Sequence, residues 1–192
     1  MKLHLRNKQS EVLFMLQRRA DSRDASALLS LYASCIGLPF CAWSADYPNA
    51  EILADDLANE AIYLLEEKNQ PLAAVSVLAH SLWAHDGIPW QLNERPAMLA
   101  RVCVRPGLQG HGIGTRFLSG VLEALAAQGF RAARLAVDKN HLAAIRLYEK
   151  LGFSRCGEVY KYEENFYCYE RTLTNSAFPR RVCARGSDGN RG

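Results

Sequence analysis

A glycine-rich segment spanning residues 104–115 is the part of this sequence whose residue types and spacing could do chemistry. It reads VRPGLQGHGIGT and follows an apolar run, Met98–Val104. Glycine lets a backbone approach a ligand closely, and the free N–H groups at the start of a helix attract anions. Three glycines at alternate positions would only weaken a helix that bound nothing. The segment therefore predicts a backbone site for a phosphate or pyrophosphate.

The neighbouring residues predict the strand and helix that such a site needs. Met98–Val104 is typical of a strand, and Arg105-Pro106 ends it. From about Gly112 to Gln128, apolar side chains recur with a helical period, and Gly129 marks the end. These apolar positions are Ile113, Phe117, Leu118, Val121, Leu122 and Leu125.

Two other nucleotide-binding motifs fit the segment less well. Gly110, Gly112 and Gly114 give G-x-G-x-G, but Thr115 stands where the dinucleotide fingerprint has its third glycine. Five residues separate Val104 from Gly110, whereas the dinucleotide loop follows its strand almost at once. No Walker A lysine follows the glycines. Dinucleotide and P-loop folds are therefore disfavoured.

A second group of residues completes a known signature. Ala133–Val137 predicts a strand and His141–Leu151 a helix, with Asn140 as its expected N-cap and Gly152 just past its end. This half of the signature comprises Asn140, Ala143, Ala144, Leu147, Tyr148, Leu151, Gly152 and Phe153. The first half comprises Val104, Pro106, Gln109, Gly112 and Gly114. Together they resemble the acetyl-coenzyme A motif of the GNAT superfamily of N-acetyltransferases. The segments WSADYPNAEI and FYCYE also resemble a bacterial subgroup of that family.

The resemblance implies a fold and a set of binding residues. The fold is a mixed α/β domain, with a mostly antiparallel central sheet, a splayed parallel pair and helices on both faces. The resemblance implies that backbone N–H groups bind the acetyl-CoA pyrophosphate and that Thr115 offers a hydroxyl; the backbone residues are Gln109, Gly110, His111, Gly112, Ile113 and Gly114. It further implies that the pantetheine arm pairs with Val102, Cys103 and Val104 and bonds Asn140, and that Tyr148 is the general acid.

The resemblance also implies a reaction. The acetyl group would pass from acetyl-CoA to a primary amine of a small molecule, by direct transfer in a ternary complex without a metal. A protein N-terminus or lysine is an alternative acceptor, and a non-catalytic CoA-binding module is an alternative role. Cys103 beside the thioester raises a ping-pong route, for which no partner base is identifiable. The general base stays open among Asp46, Glu51, Glu94, Glu158, His80, His85 and a chain of water molecules.

The rest of the chain supplies the elements around this motif. A strand over Val12–Arg19 precedes a helix capped by Asp21 or Ser22, with Leu28, Leu31, Tyr32 and Cys35 on its apolar face. A helix over 49–59 should turn Ile52, Leu53 and Leu57 inward. Two strands, 62–67 and 72–79, form a hairpin, and two more, 153–160 and 166–172, end the fold. Four aromatic residues in the loops could line an acceptor pocket or pack internally: Trp43, Tyr47, Trp83 and Trp90.

Composition and charge limit what the protein binds. The chain has 192 residues, of which 49% are hydrophobic and 22% charged, typical of one globular domain. Its formal net charge is +3, and the basic excess lies near the two ends. A nucleic-acid face on the slightly acidic body is therefore not expected. We interpret 1–11 as a flexible N-terminal extension, 12–173 as the single catalytic domain and 174–192 as a disordered basic tail.

Other partners and the compartment follow from what the sequence lacks. Val12–Leu16 is too short for a secretory core, and no apolar stretch is long enough to span a bilayer. We therefore expect a cytoplasmic protein with no membrane partner. The six cysteines form no C-x-x-C pair and no zinc spacing, so we expect free thiols and no metal. Folds of this kind are often dimeric, which leaves a homodimer open.

Overall fold

The molecule is built on one eight-stranded sheet in the order β1-β2-β3-β4-β5-β6-β8-β7. It is a computed structural model that describes residues 2–6, 12–39, 41–78 and 87–174, with the backbone alone for 2–6 and 12–14. The β5–β6 pair is parallel, and the other neighbouring pairs are antiparallel. The predicted mixed α/β class with a mostly antiparallel sheet is confirmed.

The N-terminal half contributes four strands and two helices. In chain order these are β1 (Lys2–Arg6), β2 (Val12–Arg19), α1 (Ala25–Cys35), α2 (Ala50–Ala58), β3 (Ile62–Glu67) and β4 (Gln70–Leu78). Asp21 caps the short 3₁₀ turn that leads into α1, and the Asn49 side chain caps α2 by accepting from the Ile52 N–H. Lys68 and Asn69 adopt positive φ between β3 and β4, as a tight hairpin turn requires.

The C-terminal half contributes the other four strands and two helices. They are β5 (Pro96–Val104), α3 (Ile113–Ala127), β6 (Ala132–Asp138), α4 (Leu142–Lys150), β7 (Ser154–Lys161) and β8 (Glu164–Thr172). The order β-α-β-α-β-β agrees with the periodicity of the sequence. Within the described segments, no helix is both long and apolar enough to cross a membrane.

Helices cover both faces of the sheet, as the resemblance implied. On one face, α3 packs through Phe117, Val121 and Leu125 against residues of the central strands, and α4 adds Ile145 and Tyr148 to the same cluster. On the other face, α1 and α2 pack through Leu28, Tyr32 and Leu53 against β3, β4 and β5. The predicted apolar face of α1, comprising Leu28, Leu31, Tyr32 and Cys35, is buried.

Two features differ from the sequence-based expectation, and a third prediction falls on residues that are not described. Lys2–Arg6 pairs with β2, so the description of 1–11 as a flexible extension missed a strand, because the two segments meet only once the chain turns back. In α2 the buried positions are Leu53 and Asp56, while Ile52 and Leu57 are half-buried. The interpretation of 174–192 as a disordered tail concerns residues that, beyond Thr174, lie outside the described segments.

Candidate active site

Strands β5 and β6 separate part-way along their length. They pair only from Pro96–Met98 to Ala132–Arg134, although β5 runs on to Val104 and β6 to Asp138. Each strand stays paired on its far side, β5 with β4 and β6 with β8. Among the described strands, none pairs with the inner edges beyond this point. The splayed parallel pair is confirmed, and Val102, Cys103 and Val104 lie on its β5 side.

The glycine-rich loop connects the end of β5 to the N-terminus of α3. Gly110 and Gly112 have φ of +78° and +77°, which only glycine adopts readily, and a Cβ at either would meet nothing within 4 Å. Gly112 is the N-cap of α3 and brings no side-chain cap, so the first-turn N–H groups of Ile113, Gly114 and Thr115 are not engaged by an N-cap side chain. An open backbone with uncapped N–H groups at a positive helix end fits an anionic group such as a pyrophosphate.

Two polar side chains of this loop contact backbone carbonyl oxygens of the loop and of the strand end. The Gln109 amide donates to the Val104 carbonyl over 3.0 Å, which ties the loop to the strand end. The Nδ1 atom of His111 lies 2.8 Å from the Gln109 carbonyl oxygen. Both residues are exposed. Their side chains therefore shape the loop, and their backbone N–H groups are the parts open to a ligand.

Helix α4 borders the site beside α3. A Cβ built on Gly114 would lie 3.4 Å from Val104 Cγ2 and 3.5 Å from Leu147 Cδ2, so Gly114 lies where β5, α3 and α4 meet. One residue along α4, Tyr148 is buried and packs edge-to-face on Phe153 with ring centroids 5.9 Å apart. Tyr148 shares one packed cluster with Val102 and Val104. Burial raises the pKa of its phenol, so the hydroxyl stays protonated at neutral pH.

The N-cap of α4 is His141, and the prediction of Asn140 is wrong by one residue. The Ala144 N–H donates to His141 Nδ1 over 3.4 Å, while the Asn140 N–H is engaged by the Asp138 carboxylate at 2.6 Å. Asp138 turns the chain first, so the helix starts one position later than the asparagine predicted. Burial lowers the pKa of His141, which keeps its imidazole neutral and able to accept this bond. Asn140 is exposed at the end of β6, on the far side of the gap from β5.

The structure separates the candidates for the general base only in part. Asp46, Glu51 and Glu94 are exposed. Glu158 bonds Lys139 over 3.0 Å and Arg155 over 2.7 Å, and these cations lower the pKa of its carboxyl, which makes it a weaker base. His80 and His85 lie outside the described residues, as does Trp83. No single base is therefore singled out.

The loop aromatic residues divide between the two halves of the sheet. Trp43 packs edge-to-face on Tyr32, with ring centroids 5.4 Å apart. Tyr47, four residues further along the chain, is 39% exposed. Trp90 lies instead under Arg134, whose guanidinium is 4.7 Å from the indole centroid. Trp43 and Tyr47 thus border the α1–α2 side of β5, whereas Trp90 holds the 87–95 loop on β6.

Sequence reasoning missed a buried ion pair next to the gap. Arg101 of β5 and Asp56 of α2 form two hydrogen bonds, with side chains only 5% and 3% exposed. Burial lowers the pKa of Arg101, but the bonds to Asp56 and Tyr47 outweigh burial and raise it overall. The available signal was an aspartate on the inward face of α2 and an arginine inside a strand. Their separation along the chain hid the pairing.

Cys103 lies on the same side as this ion pair, beneath α1. It is buried, and burial raises the pKa of its thiol well above the usual value. Cys35 of α1 lies close enough to Val104 for its sulfur to be 3.8 Å from the Val104 carbonyl oxygen. A thiol that stays protonated is a poor nucleophile, which weighs against a ping-pong route. Among the described residues, no cluster of three or more His, Cys, Asp or Glu side chains could hold a metal ion.

Fold and site together define an acyl-CoA-type acetyltransferase architecture, and residues 27–153 match the model of the acetyltransferase (GNAT) family. The chain belongs to this family, so the resemblance seen in the sequence is confirmed. A GNAT-family acetyltransferase structure from Streptococcus agalactiae superposes with a TM-score of 0.70 at 18% identity, covering 82% of this chain and 95% of that one. That likeness shows the shared fold.

Two curated relatives are acetyltransferases whose names include a small molecule. L-methionine sulfoximine/L-methionine sulfone acetyltransferase of Pseudomonas aeruginosa is 26% identical over 152 residues, covering 78% of this chain and 86% of that protein. Mycothiol acetyltransferase of Streptomyces scabiei is 50% identical over 52 residues, which are 27% of this chain and 17% of that protein. The chain thus spans less than a fifth of the latter relative's length.

Proposed function

We propose that this protein transfers the acetyl group of acetyl-CoA to a primary amine of a small-molecule acceptor. The observation that carries the proposal is the uncapped, glycine-lined N-terminus of α3 at the mouth of the gap between β5 and β6. An anion-binding helix end beside an unpaired strand edge suits a ligand that has both a pyrophosphate and an extended amide-bearing arm. Acetyl-CoA is such a ligand.

The binding roles follow from position. The pyrophosphate would bind the N–H groups of Gln109–Gly114, with the Thr115 hydroxyl at the next position of α3. The pantetheine arm would pair with the free edge of Val102–Val104, facing Asn140 across the gap. Because these contacts use backbone groups and a helix dipole, a slightly acidic domain can hold an anionic donor.

In the proposed reaction, one proton transfer is made by a side chain of this protein. Bound acetyl-CoA supplies an activated thioester; the acceptor nitrogen bonds to the acetyl carbon, and the carbon–sulfur bond breaks. A backbone N–H near Val104 would stabilise the negative charge that develops on the acetyl oxygen. Tyr148 would give its proton to the departing sulfur, and the acceptor nitrogen would lose one proton to a base or to water. The protonated Cys103 thiol favours direct transfer.

The class of acceptor is supported by the relatives. The sulfoximine acetyltransferase, which aligns over most of its length, is named for amino-acid-like acceptors. A panel of amino-acid-like amines is therefore the first to test. A protein acetyltransferase and a non-catalytic CoA-binding module are the two alternatives. They predict different results for thiol release and CoA binding, so the same experiments distinguish them.

The experiment that tests the proposal measures thiol release from acetyl-CoA with the amine panel, beside calorimetric binding of CoA. For Tyr148→Phe we expect about a 10²- to 10⁴-fold fall in kcat with CoA affinity retained, because only the transferable proton is removed. Tyr160→Phe is the matched control, since Tyr160 is 67% exposed at the end of β7. Its kcat should equal that of the unmodified protein.

Other outcomes point elsewhere. CoA binding without turnover for any amine would indicate the non-catalytic module. Labelled acetate that appears on lysate proteins, and on none of the amines, would indicate a protein acceptor. Absence of both CoA binding and thiol release would refute the proposal.

A further inference from the structure

Strand β5 contains a β-bulge beside the gap. Ser76 of β4 pairs with Ala100 and Ala74 pairs with Cys103, so Arg101 and Val102 together oppose the single residue Val75. Arg101 has a φ of +51°, in the left-handed region that non-glycine residues adopt at a cost in free energy. A strained residue persists only where its surroundings hold it, and such residues concentrate at functional sites.

The bulge decides which face each following residue presents. Leu99 packs in the cluster under α3 and α4, and so do Val102 and Val104, whereas Cys103 packs under α1. In a regular strand, residues an odd number of positions apart point to opposite faces. Leu99 and Val102 share a face only because the bulge inserts one residue between them. The conformation of Arg101 therefore sets how the segment Val102–Val104 is presented to the gap.

Three buried side chains, which we call the clamp, hold this bulge: Asp56, Ser76 and Arg101. Arg101 donates from Nε and Nη2 to the two carboxylate oxygens of Asp56, over 2.8 and 2.5 Å. Ser76 donates to the same carboxylate over 2.5 Å and lies 3.2 Å from Arg101 Nε. Ser76 is also the β4 residue opposite Ala100, so the clamp joins both strands of the bulge to α2.

The clamp has features of a positioning device more than of a stabilising one. A buried ion pair loses the hydration of two charges, and apolar residues of similar volume often stabilise a fold as well or better. What a two-bond carboxylate–guanidinium pair provides is a fixed orientation. Here it fixes the one residue of β5 whose backbone is left-handed. The remaining nitrogen, Nη1, lies 3.5 Å from the Tyr47 hydroxyl, which links the clamp to the exposed 41–49 loop.

We propose that Asp56, acting through Arg101, is a positioning residue: the clamp holds the left-handed bulge and thereby places Val102–Val104 for the acetyl donor. This inference rests on the proposed function, because it assumes that the donor binds along β5. It assigns no contact with substrate to either charged residue.

Two double variants test the inference without leaving a buried charge unpaired. Both carry Asp56→Asn; one adds Arg101→Gly and the other Arg101→Ala, so they differ by a single methyl group. Glycine adopts positive φ freely, whereas alanine pays the left-handed penalty with no clamp to hold it. We expect the glycine form to keep CoA affinity and turnover close to those of the unmodified protein. The alanine form should lose about 5- to 30-fold in CoA affinity, and by the same factor in turnover at subsaturating acetyl-CoA, because that is the factor to which the left-handed penalty corresponds.

Hydrogen exchange over 96–104 supplies a readout that needs no turnover. Exchange should be faster in the alanine form than in the glycine form, because the bulged strand is populated less. The single variant Asp56→Asn should lose turnover, and Asp55→Asn, an exposed neighbour on α2 with the same charge change, should not.

A merely structural clamp gives a different pattern. Both double variants would then unfold at the same lower temperature yet bind CoA and turn over equally per folded molecule, which overturns the inference. Equal losses of CoA affinity and turnover in both double variants would also overturn the inference, because the clamp side chains would then matter and the left-handed bulge would not. If the unmodified protein acetylates no amine but CoA affinity and exchange still differ between the two forms, the proposed function fails and this inference stands.

Discussion

The conformation of Gly112 gives the most direct test of the donor site. Its φ is +77°, and a Cβ there would meet no atom within 4 Å, so Gly112→Ala changes the backbone preference without a steric clash. The left-handed conformation costs an L-residue about 1–2 kcal/mol. This penalty applies only once. It lowers the free energy of unfolding where the folded protein keeps the left-handed turn, which corresponds to a fall of about 2–8 °C in Tm for a domain of this size, and it weakens ligand binding where the unliganded loop relaxes.

We expect the exposed, unliganded loop of Gly112→Ala to relax out of the left-handed turn, so that the penalty opposes CoA binding and CoA affinity falls. If the loop must keep its left-handed turn to present the first-turn N–H groups of α3, the penalty weakens CoA binding by about 5- to 30-fold. Calorimetric titration with CoA measures the affinity, and a thermal melt measures the stability. Gly37→Ala is the matched control, because Gly37 has a φ of +78°, equally open surroundings and a place after α1 instead of in the loop.

The two variants together separate the outcomes. Gly37→Ala should lose stability alone, whereas Gly112→Ala should lose CoA affinity and correspondingly less stability. Unchanged CoA affinity together with unchanged stability in Gly112→Ala would show that donor binding does not need the left-handed turn at the α3 N-terminus. Unchanged stability in Gly37→Ala would refute the conformational argument itself.

Two further predictions concern the flanks of the site. His141→Ala should lower the free energy of unfolding by about 1 kcal/mol through loss of the α4 cap, and His141→Asn should restore it in chemical denaturation. Burial lowers the pKa of His141 in the folded state. The contribution of His141 to the free energy of unfolding is therefore complete above its unfolded pKa of about 6.5 and declines as the pH falls below that value. The His141→Asn variant should lack this decline. Cys103→Ala should keep kcat within the same order of magnitude and show no acetylated enzyme in mass spectrometry, as direct transfer requires. A kcat loss as large as that of Tyr148→Phe would instead favour a covalent route through Cys103.

The glycine-rich loop and the helices beside it were predictable because the signal is local. Gly110, Gly112 and Gly114 lie within one turn of a helix whose apolar period is plain in the sequence, and Tyr148 lies at a fixed distance from Asn140 along the next helix. Glycine permits the positive φ found at Gly110 and Gly112, and as the N-cap of α3 it brings no capping side chain. The predicted N-cap of α4 was wrong by one residue, because the Asp138 carboxylate accepts a hydrogen bond from the Asn140 N–H and forms a turn before the helix begins.

The tertiary structure alone decided which distant segments meet around the gap. The gap between β5 and β6, the strand β1 and the pairing of Asp56 with Arg101 all join segments far apart in the chain, and strand pairing has no local signature that fixes its register. The bulge at Arg101 breaks the alternation that sequence reasoning relies on, so the face of Val102 could not be predicted. The sequence by itself determined the glycine-rich loop before α3 and the family resemblance, because both depend on neighbouring residues; only the packing of α2 against the sheet brought Asp56 to Arg101, because these residues lie far apart in the chain.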